Sequence, residues 1–376
     1  MNKVVRNAAI GASLCAAIAL TGCSSPTVPE APSASPVTLP TISEMTTGTT
    51  TAPPTTGPAA QKEKNVFFVS CGQAAAGCAD PAAGAVEAGE ALGWNVTVVD
   101  GAFNVGGAYS TALRQAIAAK PDGIILEAID CSSVRPALQE AKDANIPVVG
   151  YASFDCDEET SGDSGLFAYK IIPNSVDKTW KEFYQRFGRY QAAYLLGETE
   201  STNALWLNET DNIPSMENIN IGFHDAMSTC SECKVTNVDF TENNFAAVGP
   251  ALTSAILQNP EANALAPGYD TPFAFGAAKA LSESGAADRL TVIAGQGTSV
   301  GMDMLRNGEV AAAVPWDATY GGWMSMDTLN RFFADEPQVA EGWGFQLVQD
   351  ASGAQPGKGW ATTIDYRAAY TEVWEQ

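Results

Sequence analysis

The sequence predicts an α/β protein of two tandem lobes, each a doubly wound parallel sheet, and three observations carry that prediction. The part that can fold, about 315 residues from residue 61 onward, is longer than a single core usually grows. Within it, short apolar and β-branched runs alternate with Ala-rich or amphipathic stretches across brief Gly/Pro/Asp junctions, the pattern of successive β-α units. After a long amphipathic stretch at residues 176–196 the alternation starts again.

Two segments precede the first strand. Lys3 and Arg6, the apolar run at residues 8–20 and the small residues before Cys23 read as an export signal over residues 1–22, too short to span a bilayer stably. Leu20-Thr21-Gly22-Cys23 resembles the lipobox of bacterial lipoproteins, which implies cleavage before Cys23, a lipid on its sulfur and an extracytoplasmic protein anchored to the cell membrane. Residues 23–61 form a Pro/Thr/Ser-rich stretch with Pro26, Pro29, Pro32, Pro36, Pro40, Pro53, Pro54 and Pro58 spread through it. Without hydrophobic periodicity it cannot bury enough surface to offset its ordering entropy, so it reads as a tether. In polyproline II, at about 3.1 Å per residue, it would reach roughly 100 Å from the lipid.

The first lobe opens with a strand at residues 65–70, an apolar run of the kind buried on both faces of a parallel sheet, followed by a helix at 81–92. Strands at 95–100, 123–130, 146–152 and 166–172 follow, with helices at 107–119 and 133–144 between them. The second series has strands at 203–207, 235–240, 262–266, 290–294 and 311–315, and Pro173-Asn174 marks the first passage between the lobes. Ligands of open α/β sheets bind outside the carboxyl ends of the strands, so the residues just after each strand are the ones to read for function.

The formal charge of −23 becomes −25 once Lys3 and Arg6 leave with the signal, which argues against nucleic acid or an anionic lipid surface as partner. Cys71, Cys78, Cys131, Cys156, Cys230 and Cys233 remain after Cys15 and Cys23 are set aside, an even count that in an oxidising compartment suggests three disulfides. Proximity favours Cys71 with Cys78 and Cys230 with Cys233, leaving Cys131 for Cys156; fifteen connectivities remain open on sequence alone. Cys230-Ser231-Glu232-Cys233 lies after a helical stretch and before a strand, the reverse of a thioredoxin-like redox site, and reads as a staple.

Enzyme readings fail on composition. Gly297-Thr298-Ser299-Val300-Gly301 matches a nucleophile elbow between a strand and a helix, but His224, the single histidine, lies upstream of Ser299, and the order of that fold requires it downstream. The acidic run Asp155, Asp157, Glu158, Glu159 and Asp163 has Thr160 where a calcium loop needs Gly, so it reads as a solvated loop. One histidine beside paired cysteines supplies no zinc or copper set, and no phosphate-cradling loop or dinucleotide fingerprint is present. Neither a metal nor a cofactor is expected.

Several segments, in order and spacing, resemble the type I periplasmic binding proteins of ABC importers, in particular the branch that binds monosaccharides. They are Asn65-Val66-Phe67-Phe68-Val69-Ser70, Pro121-Asp122-Gly123-Ile124-Ile125-Leu126 and Ala144-Asn145-Ile146-Pro147-Val148-Val149. Farther on come Asp270 with Gly276-Ala277-Ala278-Lys279-Ala280-Leu281, then Ala294-Gly295-Gln296-Gly297 and Leu305-Arg306-Asn307-Gly308. The resemblance implies two lobes joined by three hinge crossovers, a small ligand held by closure, no catalysis, and delivery of the closed form by a monomer to a membrane permease. It divides the chain into residues 65–173 with 317–348 for one lobe and 174–316 with 349–376 for the other.

Carried over by position, the resemblance implies ligand contacts at Gln73, Tyr151, Ser153, Asn208, Glu209, Tyr269, Asp270, Gln296 and Trp316. Ala152-Ser153 stand where sugar binders usually carry an Asp-Arg pair, Gln296 where an Asp is expected, and Trp316 where a Gln is expected. Loss of the Asp-Arg pair removes charged, bidentate hydrogen bonds to vicinal hydroxyls. Trp316, Tyr269, Tyr151 and Phe154 offer flat apolar faces instead, which suit the C–H face of a sugar or an aromatic ligand. A monosaccharide or polyol leads, a small aromatic acid is the alternative, and the same domain could present its ligand to a membrane receptor as a sensor.

Overall fold

Two five-stranded sheets, all of whose strand pairs run parallel, organise the chain. The structure is a computed structural model that describes residues 37–211 and 213–376; the expected signal, Cys23 and the first part of the expected tether lie outside the described residues. After a short helix, α1 (Ile42–Thr47), the first lobe runs β1 (Asn65–Ser70), α2 (Ala76–Leu92), β2 (Asn95–Asp100), α3 (Ala108–Ala118), β3 (Gly123–Glu127), α4 (Cys131–Asp143), β4 (Val148–Tyr151), α5 (Cys156–Glu159) and β5 (Tyr169–Lys170), in the sheet order β2-β1-β3-β4-β5. β3 is buried along its whole length, as its Gly-Ile-Ile-Leu run requires of a strand covered on both faces. α2 begins five residues before the expected start, so that Pro81 lies inside it. The expected strand at 166–172 shrinks to two residues, because the buried Asp155 carboxylate takes the Leu166 and Phe167 N–H groups at 2.8 and 3.2 Å. Asp155 is therefore a structural brace of the acidic loop, and Lys170 Nζ neutralises the loop at 2.6 Å from Asp157.

The second lobe runs α6 (Trp180–Glu198), β6 (Asn203–Glu209), α7 (Pro214–Met227), β7 (Lys234–Phe240), α8 (Val248–Gln258), β8 (Ala264–Ala266), α9 (Ala278–Glu283), β9 (Thr291–Ala294), α10 (Ser299–Arg306) and β10 (Ala312–Ala313), with sheet order β10-β9-β8-β6-β7. A capping box, Thr179 with Glu182, starts α6. α6 and α7 pack closely where Gly188 and Gly222 face each other's helices; a Cβ at either would collide with the backbone carbonyl of Ile219 or Gln185. Three cysteine pairs, Cys71 with Cys78, Cys131 with Cys156 and Cys230 with Cys233, lie at bonding distance.

The lobes are joined at residues 171–179, 314–317 and 340–348. The first and third passages run side by side, with Trp343 N–H donating to Pro173 O at 2.8 Å and Glu341 N–H to Ile172 O at 3.0 Å. Between the second and third lies α11 (Ala318–Phe333), which packs on α2 of the first lobe. Around the passages an aromatic spine fills the hinge: Phe183 stacks on Trp343 at 4.8 Å and Phe187 lies 4.9 Å from Trp316.

Two expected boundaries are corrected. Residues 349–376 do not all belong to the second lobe: Trp360 joins its core, but the chain then crosses a fourth time and α12 (Tyr366–Trp374) packs on α2 and α11. Four apolar residues of α12, Tyr366, Tyr370, Val373 and Trp374, are buried there, which outweighs continuing on the second lobe. Nor is the stretch at 37–61 an unpacked tether. Met45 is 1 % exposed, its carbonyl accepts the Leu347 N–H at 2.8 Å, and Thr49 and Thr51 N–H groups donate to Phe345 O and Gly342 O at 2.9 and 2.8 Å. The segment then reaches α11 and α12, where Gln61 N–H donates to Asn330 Oδ1 and Ala60 N–H to Trp374 O, both at 2.9 Å. Its composition offers no face of its own, and the surface it needs comes from the hinge, from α6 beside the hinge and from the first lobe.

Under this strap lies a buried polar network. Arg331 Nε meets Asp327 Oδ2 at 2.6 Å, Trp374 Nε1 donates to Asp327 Oδ1 at 2.7 Å, and Arg331 also donates to Thr56 O at 2.9 Å. Glu341, fully buried, accepts from Tyr370 Oη at 2.8 Å and from Thr328 Oγ1 at 3.2 Å.

Candidate ligand-binding cleft

The carboxyl ends of the two sheets face one another across a cavity of about 110 Å³. Glu127 and Tyr151, the last residues of β3 and β4, line it from the first lobe. Tyr269 and Thr271 follow β8, Gln296 follows β9 and Trp316 follows β10, so both lobes and a hinge passage contribute. Phe103 of the first lobe meets Phe245 and Phe275 of the second at ring distances of 5.6 and 6.5 Å, which brings the lobes together at the mouth. A second cavity of about 230 Å³ adjoins this one, sharing Gly77, Gln296 and Trp316, and carries Asp80, Lys358 and Arg367.

Four of the nine expected contact residues, Tyr151, Tyr269, Gln296 and Trp316, line the cleft. Gln296 holds the Asp270 N–H through Oε1 at 2.7 Å, and its amide nitrogen approaches Gly77 on α2. The other five lie elsewhere. Asp270, fully buried, accepts Gly295 N–H at 2.6 Å and Thr298 N–H at 2.7 Å, fastening the turn beside the cleft. A Cβ at Gly301 would sit 2.6 Å from that carboxylate, which explains the glycine of the elbow-like motif by packing. Ser153 Oγ accepts the Ile129 N–H at 3.0 Å and lies 3.1 Å from Leu126 O, pinning the loops after β3 and β4. Gln73 braces the turn after β1 through Ser70 Oγ at 2.7 Å, and Asn208 bonds Asp239 at 2.7 Å. Glu209 is buried at the end of β6, with one oxygen on the Asp211 N–H at 2.6 Å and the other unpartnered.

The sequence reading missed the carboxylates and part of the aromatic wall. Glu127 is 1 % exposed and neither of its oxygens has a well-formed hydrogen bond, although Ser70 and the Cys71 N–H lie close enough to favour its charged form in part. Burial drives its pKa well above the carboxylate range, and the neighbouring Asp80 adds to the effect. Burial likewise pushes Asp130 and Glu209 up to about 8, and Glu242, across the cleft on the second lobe, up to about 7. The signal for Glu127 was present: a charged residue closing an otherwise apolar strand at its carboxyl end. Phe103, Phe245 and Glu242 sit in short irregular helices that hydrophobic periodicity does not reveal.

Residues 66–336 match the family described as periplasmic binding protein domain, and the chain belongs to that family. It is accordingly an extracytoplasmic solute-binding protein of two lobes and not an enzyme. Among solved structures it is similar to a galactofuranose binding protein (18 % identity over 82 % of this chain and 97 % of that one, TM-score 0.63). It is also similar to a solute-binding protein from Actinobacillus succinogenes with bound D-allose (17 % identity, 77 % and 98 % covered, TM-score 0.63). A third is from Mycobacterium smegmatis with bound glycerol (16 % identity, 80 % and 100 % covered, TM-score 0.64). Among curated proteins no sequence matches.

Proposed function

We propose that this protein captures a small sugar or polyol in the cleft between its lobes and delivers it to an ABC importer, as a monomer anchored through a lipid on Cys23. The composite lining carries the reading: residues from both lobes meet on one cavity, so ligand binding and lobe closure are the same event. The similar structures with D-allose and glycerol, and the galactofuranose binding protein, support the ligand class. Aromatic side chains at Tyr151, Tyr269 and Trp316 suit a sugar ring, whereas a lining with acids and no Lys, Arg or His offers no counter-charge to the carboxylate of an aromatic acid. In an oxidising compartment the three cysteine pairs are disulfides.

Calorimetric titration of the purified chain with D-galactose, D-allose, L-arabinose, glycerol and benzoate tests this. Saturable binding of a sugar or polyol supports it, and binding of benzoate alone overturns it. Uptake lost on deletion of the gene supports delivery to an importer; normal uptake with altered gene expression makes the protein a sensor instead.

A further inference from the structure

We infer that the ligand of the cleft carries a positive charge, a protonated amine or quaternary ammonium on a body of sugar-ring size, placed between Glu127 and Glu242 and faced by aromatic rings. The inference rests on the binding reading above and narrows its ligand class.

Three observations converge. Glu127 lines the cavity almost completely buried, with both carboxylate oxygens unpartnered. A second carboxylate, Glu242, enters the same cavity from the opposite lobe, so closure brings two acids onto one ligand. No described residue lining the cavity is Lys, Arg or His. The nearest cations stand in the adjoining cavity and are engaged there: Arg367 holds Glu87 at 2.6 and 3.0 Å, and Lys358 acts on Asp80.

A buried acid facing a second, half-buried one without a counter-charge is costly to ionise, and a closed lobe pair shuts out the water that would otherwise solvate them. A neutral polyol supplies hydroxyl donors but no charge. A protonated amine supplies both and a quaternary ammonium supplies the charge, and the aromatic side chains of Tyr151, Tyr184, Tyr269 and Trp316 line the same cavity. The arrangement thus keeps an aromatic-walled cleft whose charged lining residues are acids alone.

The test is calorimetric titration of the full chain with matched pairs: D-glucosamine against D-glucose, D-galactosamine against D-galactose, and choline against its uncharged isostere 3,3-dimethylbutan-1-ol. The expected result is that a cation binds at least tenfold more tightly than its neutral partner, and that Glu127→Gln removes most of the preference. Glu242→Gln, at a less buried position, gives the same readout if Glu127→Gln fails to fold. Equal or tighter binding of the neutral member in every pair overturns the charge and leaves the sugar reading standing. A preference that both variants retain overturns the placement. Absence of binding by every member at millimolar concentration overturns the charge where D-allose, L-arabinose or glycerol binds, and overturns the cleft reading as well where none of them does.

Discussion

Replacing Arg331 by Met should lower the melting temperature by about 4–7 °C. Arg331 is 3 % exposed and Asp327 is fully buried, so the variant leaves Asp327 with Trp374 Nε1 as its remaining partner. Removing one member of a buried pair costs about 3–5 kcal/mol, because the other charge stays behind uncompensated. For about 340 residues the unfolding entropy, at about 2.1 cal/mol/K per residue, is roughly 0.7 kcal/mol/K, which converts that loss into the stated shift. Differential scanning calorimetry of the ligand-free protein reads it directly. The control is the double variant Asp327→Asn with Arg331→Met, which keeps an acceptor for Trp374, removes the stranded charge, and should recover more than half of the loss. A shift below 1 °C for Arg331→Met, or a double variant as unstable as the single, would refute the assignment of Arg331 as the counter-charge of the strap junction.

Trp316→Ala should weaken binding of whichever sugar, polyol or amine the titrations identify by more than tenfold, and should also lower the melting temperature, since Trp316 packs on Phe187 and Trp343 as well as lining the cleft; unchanged affinity removes it from the site. Met45→Ala should cost about 2–4 kcal/mol by chemical denaturation, an effect no unpacked tether would show. The ligand-free protein should lose stability as pH rises from about 5 to 8. Glu127, Asp130, Glu209 and Glu242 all have raised pKa values, so the folded state binds more protons than the unfolded one across that window. Asp80 and Tyr151 face Glu127, and Asp211 faces Glu209 and Glu242, so the neighbours reinforce the trend; half-buried His224, lowered, opposes it. A melting temperature that climbs between pH 5 and 8 contradicts the burial of these acids. A permanently cationic ligand should bind more tightly over the same rise in pH, as the acids ionise, and choline titrated at pH 5.5 and 7.5 reads the difference.

The sheets were legible because a strand covered on both faces must be a continuous apolar run, and 65–70 and 123–127 are such runs. The cleft was legible in outline, because its lining residues follow strand ends. It was not legible in detail, because Ser153 and Asp270 also follow strand ends yet bond the scaffold, and only three-dimensional packing separates the two roles. Glu127 escaped because the resemblance directed attention to positions where sugar binders carry polar pairs. The segment at 37–61 was misread for a different reason: composition measures what a segment can bury by itself, and this one is buried by a surface more than 250 residues away in sequence, as the Gln61–Asn330 bond with a separation of 269 residues shows.

Because the strap is fastened to the third passage and to α11 and α12, residues 37–61 add no reach to any leash from the membrane. If Cys23 carries the lipid, fourteen residues remain to bridge the gap, at most about 50 Å when fully drawn out. The protein would then work close to the bilayer and not as a free-ranging scout. The strap's start lies against the third passage and beside Tyr190 of α6, and its end on α11 and α12, so one segment touches both lobes and would feel any change in their angle.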